Sequence, residues 1–167
     1  MKEEHELELV SIRLIKEKTL YSEDRLTSPA QVVGFLSREL ALYDREMFAV
    51  LNLTSQNQVI NLNLVSMGDI NSSIVNPREV FKSSILSNAA SILLMHNHPS
   101  GYIYPSEEDR AITERLCAAG ELLGIPVMDH VIIGGRSGER FSFMEHELLP
   151  GQREPVKKIN RNRKVRL

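Results

Sequence analysis

One stretch of the chain, an apolar run that leads into two histidines, most constrains the fold. Residues 92–95 read Ile-Leu-Leu-Met, and His96 and His98 follow with one asparagine between them. A short, continuous apolar run of this kind predicts a buried β-strand. Because side chains alternate along a strand, the two imidazoles share one face and Asn97 points to the other. The pattern therefore predicts two nitrogen ligands at the end of a buried strand.

A third candidate ligand, Asp109, stands in the first turn of a predicted helix. A loop containing proline and glycine follows the histidines, and Ser106 then opens the helical pattern. Asp109 shares the apolar face of that helix with Ile112 and Leu116, so its carboxylate is expected to point towards the sheet. Two imidazoles and one carboxylate leave one position open in a tetrahedral zinc shell, as in catalytic zinc sites. The single cysteine excludes a Cys-rich structural site.

These residues also have a simpler interpretation. Histidines beside a turn are often ordinary polar loop residues, and the spacing from Ser106 to Asp109 is typical of a helix N-cap. Both interpretations of Ser106 can hold together, because a capping serine can still present its hydroxyl to a substrate. Metal-assisted hydrolysis also needs a carboxylate beside the metal as general base. Glu46 begins an apolar strand and is one candidate, but spacing alone does not distinguish it from a surface glutamate.

Composition is that of an ordinary globular protein. Of the 167 residues, 42% are hydrophobic and 25% are charged, which suits one domain with a proper core. The sequence has no apolar run of transmembrane length and begins without the apolar segment of a signal peptide. Cys117 falls at an apolar helical position, so we expect it to fill the core in a reducing, cytoplasmic environment.

Charge is distributed unevenly along the chain. Residues 153–167 carry seven of the 20 basic side chains and only one of the 22 acidic ones, although the net charge is −2. Such a basic tail on an acidic body could contact nucleic acid, remain solvated or fold back on the body. The sequence leaves these three alternatives open.

The remaining patterns predict a mixed α/β domain. Ser28-Pro29 and Asn76-Pro77 each join an N-cap to a proline at the first helical position, so a helix is expected after each. Residues 46–53 form a β-prone run, residues 58–65 alternate clearly, and the polar turn between them predicts a β-hairpin. Further strands are predicted at residues 7–15, 126–133 and 139–143. The expected organisation is an N-terminal strand and linker (1–27), a single domain (28–150) and a basic tail (151–167).

The string His96-Asn97-His98-Pro99-Ser100-Gly101, followed by Pro105-Ser106 and Asp109, resembles the JAMM motif of the MPN-type zinc metallopeptidases in its RadC-like form. The similarity extends over roughly residues 28–143. It implies a mixed β-sheet flanked by helices, of the cytidine-deaminase-like kind, and a peptide or protein substrate.

The resemblance also implies the roles of individual residues. Zinc would be bound by His96, His98 and Asp109. Ser106 would stabilise the oxyanion, and Glu46 would be the general base in cleavage of a peptide or isopeptide bond. His130 falls in the family's Asp-His pair, and we interpret it as supporting the site rather than binding the metal.

Three features depart from the family pattern. Full-length RadC-like proteins usually carry an N-terminal helix-hairpin-helix region, which is not expected in this chain. Residues 102–104, Tyr-Ile-Tyr, are more apolar than the usual loop, and Asn76 stands where the family often has histidine. An alternative function rests on the basic tail and on the family's historical association with DNA repair. It is a DNA-associated, repair-type or partner-binding protein with a structural or vestigial metal site, contacting nucleic acid through that tail.

Overall fold

Eight secondary-structure elements lie in the residues that the computed structural model describes, 11–23, 25–68, 75–135 and 139–151. In chain order they are α1 (Pro29–Leu40), β1 (Met47–Leu53), β2 (Val59–Met67), α2 (Pro77–Leu86), β3 (Ser91–His98), α3 (Glu107–Leu123), β4 (Val127–Gly134) and β5 (Glu139–Ser142). The predicted hairpin is β1 and β2. None of the described helices is long and apolar enough to span a membrane.

The strand that carries the histidines, β3, is the middle strand of a five-stranded sheet. The strand order is β2-β1-β3-β4-β5. β3 pairs antiparallel with β1 and parallel with β4, while β2 and β5 form the antiparallel edges. The first seven residues of β3 are buried, as expected for an apolar run covered on both faces. The prediction of a mixed sheet flanked by helices is confirmed.

Alternation along the strands separates two packed faces. Met47, Ala49 and Leu51 of β1 lie in a core cluster with α1. Phe48 and Val50 lie on the opposite face, in a cluster with residues of α2 and α3. The even-numbered residues of β3 share the face of Phe48, so both histidines point to the α3 side and Asn97 points to the α1 side. Cys117 is buried with Ile132, Phe141, Phe143 and Leu149, and its predicted core role is confirmed.

The helices begin at the predicted caps. The Ser28 hydroxyl accepts from the backbone N–H of Gln31, and Asn76 caps α2 through its side-chain oxygen. Ser106 caps α3, which ends at Gly124 in the left-handed conformation, with a φ of 70°. These short-range signals place each helix to within a few residues of its observed bounds.

The predicted N-terminal strand is wrong for the part that the structure describes. Residues 11–20 form no strand, and Ile12 and Ile15 are 73% and 85% exposed. An alternating segment becomes a strand only when a neighbour accepts its backbone hydrogen bonds and covers its apolar face. These residues pair with neither edge of the sheet. The first part of this strand, residues 7–10, and the basic tail from residue 152 lie outside the described residues.

Candidate metal centre

His96, His98 and Asp109 converge where β3 ends and α3 begins. One candidate ligand atom from each lies within 4.8 Å of the others. His96 Nε2 is 2.9 Å from His98 Nε2 and 3.0 Å from Asp109 Oδ1, while His98 Nε2 is 3.5 Å from Asp109 Oδ2. His96 is fully buried and Asp109 is 2% exposed. As predicted, the side chains from the end of the strand and from the first turn of the helix lie together.

Asp109 is held by the residue that caps its helix. Ser106 donates to Asp109 Oδ2 from its backbone N–H at 2.8 Å and from its hydroxyl at 2.7 Å. The Asp109 N–H donates back to the Ser106 hydroxyl oxygen at 3.0 Å. These bonds form a capping box, with aspartate in the place usually taken by glutamate or glutamine. The capping interpretation of Ser106 and Asp109 is thus correct, and Asp109 still faces both histidines.

The charge state of Asp109 follows from its neighbours. Burial by itself raises the pKa of this carboxyl, but hydrogen bonding with His96, His98 and Ser106 outweighs burial and holds the pKa well below its usual range. Asp109 is therefore ionised at neutral pH. A buried carboxylate that faces two imidazoles forms a site with a strong preference for a cation.

The orientation of His98 is set by a backbone carbonyl. His98 Nδ1 lies 2.6 Å from the Tyr102 carbonyl oxygen. A carbonyl can only accept, so Nδ1 carries the proton and donates it. In the neutral ring, the Nε2 lone pair then points towards Asp109. Burial lowers the pKa of His98, but hydrogen bonds to Asp109 and Tyr102 outweigh it, so the pKa is raised and a proton competes with a metal for Nε2.

The loop that presents the Tyr102 carbonyl is packed tightly against the end of β4. The Gly101 N–H donates to the His98 carbonyl at 3.0 Å, closing a turn directly after the histidine. A Cβ atom at Gly134 would lie 2.3 Å from Ile103 Cγ2 and 2.9 Å from the Gly101 carbonyl oxygen. Glycine at 134 therefore allows the loop to approach β4 closely enough for Tyr102 to reach His98.

Glu46 immediately precedes β1, next to the site. Phe48 pairs with His96 in the antiparallel register, and continuing that register by two residues places Glu46 across from His98. The negative charge of Glu46 contributes to the raised pKa of His98. The Gly68 N–H also donates to the Glu46 carbonyl at 2.9 Å. Glu46 therefore lies at the same end of the sheet as the three converging side chains.

Further residues pack around His96. His96 stacks on Phe48, with ring centroids 6.0 Å apart. Its Nδ1 lies 2.8 Å from Nε2 of His130, which is fully buried. His130 in turn contacts Thr113 of α3. His130 therefore lies behind His96, on the side away from Asp109.

Sequence reasoning missed Thr113 and the structural role of Asn97. Thr113 follows Asp109 by four residues on the same helical face, so helical spacing could have identified it. Asn97 is a fully buried amide in an apolar strand. That combination is a signal in itself, because buried polar groups are nearly always hydrogen-bonded.

The mixed sheet, with a His-His-Asp cluster at the end of its middle strand, defines a domain of the JAB type. The profile of the RadC-like JAB domain matches residues 26–148, and the chain belongs to this family. It is 48% identical to a UPF0758 protein of Rubrobacter xylanophilus over 124 residues, 74% of this chain and 53% of that protein. It is likewise 48% identical to a UPF0758 protein of Pelobacter propionicus over 132 residues, 79% of this chain and 57% of that protein. The chain thus spans about half the length of these relatives.

Proposed function

We propose that the chain is a zinc-dependent hydrolase of the JAMM type that cleaves a peptide or isopeptide bond. The observation that carries this proposal is the convergence of His96, His98 and Asp109 within 4.8 Å. Membership of the JAB family supports the same reaction class. The proposed substrate is a peptide or protein segment.

The donor set fits zinc. The site offers two imidazole nitrogens and one carboxylate, as catalytic zinc sites do, and no protein thiolate. The Nε2 lone pair of His98 is aimed at the centre of the cluster, because Nδ1 is committed to the Tyr102 carbonyl. Lone pairs and a carboxylate directed at one point repel one another unless a cation lies between them. His96, His98 and Asp109 would hold that cation, which when bound activates water for attack on an acyl carbon.

Two further residues complete the proposed reaction. Glu46 would take the proton of the attacking water and pass it to the leaving amine, since its carboxylate is close enough to influence His98. Ser106 is exposed at the start of α3, and its hydroxyl would turn from Asp109 to donate to the developing oxyanion. The backbone N–H of Ser106 would continue to hold Asp109 during that exchange.

Elemental analysis tests the metal site. The wild-type protein is purified without added metal and compared with His96→Ala and with His146→Ala, a histidine that lies outside the cluster. About one zinc per chain in the wild type and in His146→Ala, lost in His96→Ala, is the expected result. A well-folded wild type that neither contains zinc nor takes it up would overturn the proposal.

Activity against peptide and isopeptide libraries tests the assignment of the general base. Glu46→Gln keeps the size of the side chain but removes its basicity, so hydrolysis should fall by at least about 100-fold while zinc remains bound. Glu107→Gln, an exposed residue of α3, is the matched control and should retain activity. Full activity in Glu46→Gln would remove Glu46 from the mechanism.

A nucleic-acid role is the second candidate, favoured by the concentration of basic residues at 153–167. If this tail binds DNA, as a repair-type protein would, affinity should fall steeply with salt and vanish when the tail is deleted. Salt-independent binding, or none in the intact chain, would exclude this role. We also propose a cytoplasmic location, which suits the buried free thiol of Cys117.

A further inference from the structure

A chain of three buried hydrogen bonds links the backbone of α3 to the metal-facing histidine of β3. His96 Nδ1 lies 2.8 Å from His130 Nε2, and His130 Nδ1 lies 2.6 Å from Thr113 Oγ1. Thr113 Oγ1 lies 2.5 Å from the Asp109 carbonyl oxygen. His96, His130 and Thr113 are each no more than 1% exposed.

The direction of these bonds can be worked out from the carbonyl end. The Asp109 carbonyl can only accept, so the proton between the two oxygens belongs to the Thr113 hydroxyl. A hydroxyl has one proton, and Thr113 Oγ1 therefore accepts at its other contact. The proton between Thr113 and His130 must then be carried by His130 Nδ1.

The burial and contacts of His130 set the proton position on His96. His130 is fully buried, and its two ring nitrogens contact Thr113 Oγ1 and His96 Nδ1, neither of which is an anion, so the ring is neutral. A neutral imidazole that carries its proton on Nδ1 has a lone pair on Nε2, so His130 Nε2 accepts from His96 Nδ1. With one proton on Nδ1, His96 can donate to Asp109 from Nε2 only as an imidazolium, and the neutral ring presents the Nε2 lone pair to Asp109 and His98.

We propose that Thr113 and His130 are positioning residues that hold His96 in the tautomer able to bind a metal through Nε2. The inference rests on the proposed function only for the identity of the metal, because these hydrogen bonds join protein groups and need no metal to form. Thr113 lies one helical turn after Asp109 and bonds to its backbone carbonyl. The segment that supplies the carboxylate ligand therefore also sets the proton position on the imidazole ligand.

The hydrogen bonds from Thr113 through His130 to His96 form a relay that sets the proton position on His96. Removal of the Thr113 hydroxyl should reverse the direction of the bond between His130 and His96. In Thr113→Val, His130 Nδ1 has no acceptor, so its proton is better placed on Nε2, where it donates to His96 Nδ1. His96 must then carry its own proton on Nε2, in the position of the metal. Thr113→Ser keeps the hydroxyl and should keep the wild-type arrangement, which makes it the matched control.

The test measures protonation and zinc binding separately. Nitrogen-15 NMR of the histidine rings, in metal-free protein at alkaline pH, shows which nitrogen of His96 carries the proton. We expect Nδ1 in the wild type and in Thr113→Ser, and Nε2 in Thr113→Val. Zinc affinity, measured by competition with a chelator, should be about 10- to 100-fold weaker in Thr113→Val than in Thr113→Ser.

Each outcome separates the relay from the proposed function. A proton on Nε2 of His96 in the wild type would overturn the relay, whether or not Thr113→Val folds. So would an unchanged His96 tautomer and zinc affinity in a folded Thr113→Val. If NMR shows the predicted tautomers but the wild type binds no zinc, the relay is supported and the proposed hydrolase is overturned. A purely structural role for Thr113 would lower stability without moving the proton.

Discussion

The side chain of Asn97 accepts a hydrogen bond from the backbone N–H of Met47 at 2.8 Å, joining the end of β3 to the start of β1. Its amide nitrogen donates to the Arg45 carbonyl at 3.1 Å. One buried side chain therefore holds the backbone on both sides of Glu46. Since Asn97 lies between the two candidate histidine ligands, the strand that supplies those ligands also positions the proposed base.

Substitution Asn97→Ala should disturb the base and leave the metal in place. The change removes both bonds and leaves the Met47 N–H without its partner, so the free energy of unfolding should fall by about 1–3 kcal/mol. Hydrolysis should fall about 10-fold or more, because Glu46 loses its fixed position. Activity assays, zinc content and denaturant unfolding check these expectations.

Asn52 offers a matched control for that variant. It is a fully buried asparagine in β1 whose amide nitrogen donates to Asn61 and Ser83. Asn52 pairs with Ile92, at the opposite end of β3 from the candidate ligands. Asn52→Ala should lower the free energy of unfolding by a similar amount to Asn97→Ala. It should have little effect on the activity of the protein that remains folded. Equal losses of activity in the two variants would show that Asn97 acts only through stability.

Metal removal should lower the stability of the wild type. A ligand that binds only the folded state stabilises it by about 2.7 kcal/mol when present at 100 times its dissociation constant. A chelator should therefore lower the Tm of the zinc-loaded protein, and zinc should restore it. His98→Ala should show no zinc-dependent shift, whereas His146→Ala should behave as the wild type. A zinc-dependent shift in His98→Ala would place the metal elsewhere.

Gly134→Ala should loosen the loop that orients His98. The added methyl group would lie 2.3 Å from Ile103 Cγ2 and 2.9 Å from the Gly101 carbonyl, so the loop must move. We expect a loss of about 1–3 kcal/mol in the free energy of unfolding, and weaker zinc binding as the contact between Tyr102 and His98 lengthens.

Gly34 in α1 provides the control for the glycine variant. A Cβ atom there would meet nothing within 4 Å. Gly34→Ala should therefore raise stability by about 0.5–1 kcal/mol, through helix propensity, and leave zinc binding unchanged. Unaltered zinc affinity in Gly134→Ala would show that the Tyr102 carbonyl does not set the orientation of His98.

Asp129 should make stability depend on pH. Burial raises its pKa above the ordinary value, and hydrogen bonds from Ser142 and two backbone N–H groups only partly offset that effect. The folded state therefore holds the proton more tightly than the unfolded state does. This contribution to stability is present below the unfolded pKa of about 3.9 and is lost as pH rises through the higher folded value.

The variant Asp129→Asn measures that contribution. Its amide can accept from the same backbone N–H groups and donate to Ser142, and it does not ionise. The difference in free energy of unfolding, variant minus wild type, should grow as pH rises from about 3.5 towards 7, across the titration of the carboxyl. Denaturant unfolding at several pH values checks this, and a difference independent of pH would contradict it.

The elements that were predicted correctly from the sequence depend on short-range signals. Serine or asparagine before proline placed the starts of α1 and α2, because capping and a fixed proline φ act within one turn. The two histidines and Asp109 could also be placed, because strand alternation and helical periodicity each set the face on which a side chain lies. Both signals are properties of consecutive residues.

Features that depend on pairing between distant segments could not be predicted in this way. Local pattern does not reveal that β1 lies between β2 and β3, although this pairing brings Glu46 opposite His98. The same limit explains the wrong prediction for residues 11–15, where alternation was present but the segment pairs with no strand of the described part of the chain. Helical spacing places Thr113 on the face of Asp109, but its contact with His130, 17 residues away on another element, cannot be predicted from local pattern.

The capping box of Ser106 and Asp109 has a consequence for comparing members of this family. Asp109 stabilises the start of a helix as well as facing the histidines, so a copy of the domain that had lost its chemistry would still gain stability from aspartate there. Retention of this residue in a sequence is thus poor evidence that an enzyme is active. His98, whose imidazole caps nothing, is the more informative position for telling working enzymes from degenerate copies.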